Sequence, residues 1–215
     1  MKHQKKNYHI CVIDIGSPKL GNIGWCLLDT QLEKKYTGSD LDELFPLLPP
    51  IIKSQGLILG LEAPLFVPIR QDILLATRGR RGEKRRPWSA GAGAQVLAMN
   101  LPIMVYIFSK IHFYLGQIRF CLNEKTFSFA PDEIMIFEAL VSGSDKGENH
   151  INDAEIMATS CLIHAKSGRL PTSILEIEED TSYFNLAAAA LLRCNLSDSI
   201  PDLEEYCPIY KPDTL

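Results

Sequence analysis

Two apolar runs that each end in a carboxylate constrain this 215-residue chain more than any other feature. The first is Ile10-Cys11-Val12-Ile13, which leads into Asp14, Ile15 and Gly16; the second is Leu57-Ile58-Leu59-Gly60-Leu61, which leads into Glu62. Continuous apolar runs of this kind read as strands covered on both faces, at the centre of a sheet that contains parallel strands. A carboxylate at the end of such a strand loses its hydration unless a cation or hydrogen-bond donors replace the water. If the two strands lie side by side and parallel, Asp14 and Glu62 stand at equivalent heights. Two acids brought together would repel, and a bound divalent cation is the usual reason such a pair is kept. The alternative for Asp14 is a strand-terminal acid that caps the following turn.

Strand and helix signals alternate along the rest of the chain, which implies an α/β fold. Gly16 to Gly21 is rich in turn residues and Asn22 to Leu28 resumes as a strand around Trp25, so the first two strands form an antiparallel hairpin. Gln31 to Thr37 can add a third, edge strand, and Ser39-Asp40-Leu41-Asp42-Glu43 starts a helix with acids in its first turn. Ala90 to Gly116 has a helical pattern with Pro102 as the expected break. Ile134 to Phe137 is a further strand and again ends in an acid, Glu138. The helix opened by His150 repeats Ala154, Met157, Ala158, Cys161, Leu162 and Ala165 at helical spacing. Asp153 lies on that apolar stripe and His150 is one turn before it, so this helix presents an acid and a histidine at its N-terminal end. Tyr183 to Cys194 reads as a packing helix, and the proline-rich tail at 197–215 is expected to wrap the surface, with Cys207 to Tyr210 able to run extended. One domain over 1–215 suits the length.

The net charge of -4 does not advertise a nucleic-acid binder, yet charge is unevenly distributed. Arg78, Arg80, Arg81, Lys84, Arg85 and Arg86 fall within nine residues and account for 6 of the 22 lysines and arginines. They lie in an insertion at about 70–88, where a basic segment beside Glu62 favours phosphate contact over an ordinary solvated loop. The 6 cysteines are scattered without a C-x-x-C pair, which suits reduced, buried thiols in a cytoplasmic protein. The lysines before the first apolar run are not expected to form a signal peptide, because Asp14 interrupts that run too early. No uninterrupted apolar run approaches the length needed to span a bilayer, so no membrane partner is expected.

The order three strands, helix, strand, helix, strand, helix, with these acids in these places, resembles the RNase H-like superfamily. Asp14, Glu62 and the His150-x-x-Asp153-Ala154 element resemble the acids of RuvC-type Holliday-junction resolvases. Asp14-Ile15-Gly16 with Gly24-Trp25, Glu62-Ala63-Pro64-Leu65, Phe137-Glu138-Ala139 and Asp153-Ala154 also look like a family of uncharacterised predicted nucleases with that fold. The resemblance implies a mixed five-stranded sheet, three antiparallel strands then two parallel, flanked by helices. It further implies a nuclease using Mg²⁺ or Mn²⁺ on DNA or RNA. Asp14, Glu62, His150 and Asp153 would be catalytic, with Glu138 as an additional metal ligand, and a homodimer is allowed. Two other readings stay open: an actin-like nucleotide-dependent phosphotransferase, and a non-catalytic nucleic-acid-binding module with a structural metal site.

Overall fold

The computed structural model describes residues 7–83, 88–179, 181–196 and 202–213. Its centre is β1 (His9–Ile15), buried at every position. Alternate residues of β1 feed two separate cores, with Cys11, Ile13 and Ile15 on one face and Ile10 and Val12 on the other. This period of two follows from strand geometry and fixes which way every later acid points. β2 (Ile23–Asp29) pairs antiparallel with β1, and β3 (Lys34–Gly38) pairs antiparallel with β2. On the other side β4 (Leu57–Glu62) lies parallel to β1 and β7 (Glu133–Ala139) lies parallel to β4.

Among the described residues the sheet has seven strands rather than the five expected. Both additions are on the outer edge of β7. The three-residue β6 (Arg119–Cys121) covers the start of β7, and β9 (Ile209–Tyr210) covers its end. Such short segments carry no alternation signal of their own; neighbouring unpaired backbone makes them strands. β9 agrees with the expected extended run at 207–210 but corrects its place on the surface, because Cys207, Ile209 and Tyr210 are fully buried. Residues 197–201 of that tail lie outside the described residues.

Helices cover both faces. α1 (Leu41–Leu44) is capped by the Asp40 side chain, and α2 (Leu48–Ser54) follows after a 3₁₀ turn at Phe45–Leu47. Both pack with α3 (Gly91–Leu115) and α5 (Leu186–Arg193) against the core that holds Ile13, Leu59 and Ile136. Among the described residues α4 (His150–Lys166) alone supplies the helical cover of the other core, through Ala154, Met157, Ala158, Cys161 and Ala165. α3 runs unbroken through Pro102, where a break was expected. Tyr183, expected to open a helix, belongs instead to β8 (Thr181–Asn185), which forms a separate two-stranded ribbon with β5 (Phe66–Arg70).

Among the described residues α3 is the one helix long and apolar enough, by length and composition, to cross a membrane. It was missed as an apolar run because Gln95, Asn100, Ser109 and Lys110 interrupt it, whereas its average hydropathy still passes. Its inner side, Ile103, Met104, Ile107, Phe108 and Ile111, is packed into the core. All six cysteines carry free thiols, five of them buried.

Candidate metal centre

The register of the two acid-ended strands places Asp14 opposite Glu62. Register partners in neighbouring strands project to the same face, here the one under α4. Asp153, in the first turns of α4, closes the group from above. One carboxylate oxygen from each of Asp14, Glu62 and Asp153 lies within 4.8 Å of the others. All three are recessed, their side chains 4%, 13% and 5% exposed in that order.

The helix start that delivers Asp153 is fixed locally. The Asn149 side chain accepts a hydrogen bond from the Asn152 amide at 3.0 Å, an N-cap. Asp153 accepts from the Gly147 amide at 2.6 Å and from the Lys146 ammonium at 3.0 Å. Close approach of this helix end to the sheet requires glycine in β2. Gly24 is the register partner of Asp14, and a Cβ there would lie 2.2 Å from the backbone of His150 and Ile151. Gly16 is similar, since its Cβ would meet the Asn22 carbonyl oxygen at 2.2 Å and the His150 ring at 3.0 Å. The Gly-Trp motif is therefore the footprint of α4 on the sheet, whereas Gly16 chiefly makes room for Asn22.

His150 stands beside Asp14, with Nδ1 2.6 Å from Oδ2. Lys146, which sequence reasoning missed, sits between the other two acids, with Nζ 3.0 Å from Asp153 and 3.6 Å from Glu62. Its loop, between β7 and α4, shows only glycine and mixed charge, and nothing in that pattern singles out one lysine. Burial raises the carboxyl of Asp14, an effect partly offset by His150 and Lys146. Burial and then the neighbouring Asp14 charge push Glu62 up to about 9. For Lys146, burial favours the neutral amine but is outweighed by Glu62 and Asp153, so its pKa is raised.

Glu138 is not brought into this group. Leu61, not Glu62, is its register partner, so it projects to the opposite face of the sheet. There the Arg80 guanidinium donates to its two oxygens at 2.6 and 2.8 Å, and the Leu65 amide donates at 3.0 Å. The alternation of Met135 and Phe137 against Ile134 and Ile136 carries this parity. Arg80 is corrected with it: only 3% exposed, it is paired with Glu83 and Glu138 and stacked over the Phe66 ring at 4.4 Å. An arginine so enclosed is an internal strut and not a phosphate contact. Arg70 acts likewise, bound to Glu178 and to the carbonyls of Leu75, Arg78 and Gly79. Arg78 and Arg81 are exposed, whereas Lys84, Arg85 and Arg86 lie outside the described residues.

The acids suit a hard divalent cation. The donor set is all oxygen, and Glu62 Oε2 is buried with no hydrogen-bond partner, a costly arrangement that a bound cation relieves. Beside the acids opens a cavity of about 320 Å³, walled by Pro64, Trp88, Val96 and Met99. Fold and site together define an α/β protein that gathers three carboxylates from the carboxyl ends of two parallel strands and the first turns of a helix. Comparison with protein-family models, with curated proteins and with solved structures found no match to the chain.

Proposed function

We propose that this protein is an RNase H-like, divalent-metal-dependent nuclease that hydrolyses phosphodiester bonds in DNA or RNA. The observation that carries the reading is the convergence of Asp14, Glu62 and Asp153 with an unpartnered oxygen on Glu62. The sheet order β3-β2-β1-β4-β7, three antiparallel strands followed by two parallel, supports the fold half of the reading. Asp14, Glu62 and Asp153 would hold Mg²⁺ or Mn²⁺, ions that take oxygen ligands. When bound, such ions activate water and stabilise the leaving oxygen in an in-line displacement. The protein's own share is positional. His150 orients Asp14 through their 2.6 Å contact and has a second ring nitrogen that can take or give a proton at the cleft. Lys146, 42% exposed at its side chain, offers the mouth of the cleft a cation for a phosphate oxygen. Cleavage assays on duplex, single-stranded, branched and hybrid substrates with Mg²⁺ or Mn²⁺ test the reading. Asp14→Asn, Glu62→Gln and Asp153→Asn should each abolish cutting.

One observation favours a second reading, in which the three acids form a purely structural cluster without metal or catalysis. The Lys146 ammonium already lies between Glu62 and Asp153, so the acids have an internal counter-charge. Under that reading Lys146→Met lowers stability severely and Mn²⁺ gives the wild-type protein no added stability. Under the nuclease reading Mn²⁺ stabilises both proteins.

A further inference from the structure

We propose that the cavity beside the acids receives one unpaired base, which makes single-stranded nucleic acid the substrate class. This inference rests on the nuclease reading and deepens it. The acids are recessed, so a phosphodiester that reaches them must bring its own sugar and base into the cleft. Much of the lining that this base would meet is apolar, including Trp88, Pro64, Val96 and Met99, while Glu83 and Glu138 on the same cavity are neutralised by Arg80. A continuous duplex would turn charged backbone toward that wall, at a cost in desolvation. An unpaired base presents a π-face, and stacking on an aromatic side chain is favourable for any base. The Trp88 ring is held in place, its Nε1 donating to the Arg78 carbonyl at 3.3 Å.

The size of the space agrees. At about 320 Å³ the cavity is at the small end of ligand pockets, with room for one nucleoside-sized group. A second cavity of about 690 Å³ shares Ser17 and Met99 with the first and continues along α3 past Pro102 to Tyr106. Tyr106, 40% exposed, offers a second aromatic ring there. Two adjacent hollows, each with an aromatic residue and one of them floored by acids, fit consecutive nucleotides of one strand.

The test titrates 2-aminopurine-labelled pentanucleotides against the wild-type protein in EDTA, where metal-dependent cleavage is stopped. The same sequence as a duplex and a strand with an abasic site are compared. Expected are quenching of the probe and binding at least about tenfold tighter to the unpaired strand than to either control. Trp88→Ala, which removes the platform, and Val96→Trp, which fills the cavity, should both remove that preference, and circular dichroism checks that each folds. Equal binding of the three ligands without quenching overturns the proposal. A parallel cleavage assay in Mn²⁺ separates the two claims. Equal cutting of duplex, abasic and unpaired strands overturns the base pocket and keeps the nuclease, whereas base-dependent binding without cutting of any substrate keeps the pocket and overturns the nuclease.

Discussion

Gly24 faces Asp14 across the β1–β2 ladder, and the backbone of His150 occupies the space where a side chain at Gly24 would stand. The first residue of the helix that carries Asp153 is thereby set directly over the first acid. Gly24→Ala would place a methyl group 2.2 Å from backbone atoms that have no flexible end to move. The expected result is a loss of about 1–3 kcal/mol from overpacking. Because α4 must lift, Mn²⁺ affinity should fall with it. Urea melts and a Mn²⁺ titration on the same sample check both, and a variant that loses neither would show that the close approach is unnecessary.

Arg80 and the exposed arginines should behave as two different kinds of residue. Arg80→Met leaves Glu138 and Glu83 buried without their cation, a change that costs about 3–5 kcal/mol when a buried pair is broken. Arg80→Met combined with Glu138→Met should recover part of that loss. Replacing Arg78 or Arg81 with Ser should leave stability within about 0.5 kcal/mol. Each should reduce the log-log salt slope of nucleic-acid binding by about 0.9 if it contacts one phosphate of a duplex, or about 0.7 on a single strand. Slopes unchanged in both variants would make this segment an ordinary solvated loop.

The raised carboxyl of Glu62 predicts a pH dependence. Its folded value, about 9, lies above the ordinary 4.5, so the folded protein holds this proton more tightly than the unfolded chain. The resulting stability is fully present below about pH 4.5 and is lost as pH rises toward about 9. In EDTA, the difference in melting temperature between wild type and Glu62→Gln should therefore turn against the wild type as pH rises. Mn²⁺ should stabilise the wild type more at about pH 8 than at about pH 5, because the cation binds the ionised acid. A Mn²⁺ effect equal at both pH values would contradict this.

Much of the site was legible in the sequence because it depends on strand parity. Asp14 and Glu62 each follow an apolar run, and parallel pairing puts them side by side. Asp153 was legible because it sits on the buried stripe of an amphipathic helix. Glu138 was misread by one step of the same parity, since an acid at a strand end looks alike whichever face it takes. Arg80 was misread because a run of cations hides the one that has a partner distant in sequence: Glu83 lies within the run, but Glu138 is 58 residues away. The extended character of residues 207–210 was legible, but their pairing with β7 was not, and neither were β6 and the β5–β8 ribbon, because short strands owe their existence to tertiary pairing and not to their own pattern.

The central claim is that Asp14, Glu62 and Asp153 form one divalent-cation site, and isothermal titration calorimetry with Mn²⁺ tests it most directly. The wild-type protein should titrate with saturable binding heat. Asp14→Asn, which keeps the shape and removes the charge, should fold with an unchanged circular dichroism spectrum and lose that heat. Identical titrations of the two folded proteins would contradict the account.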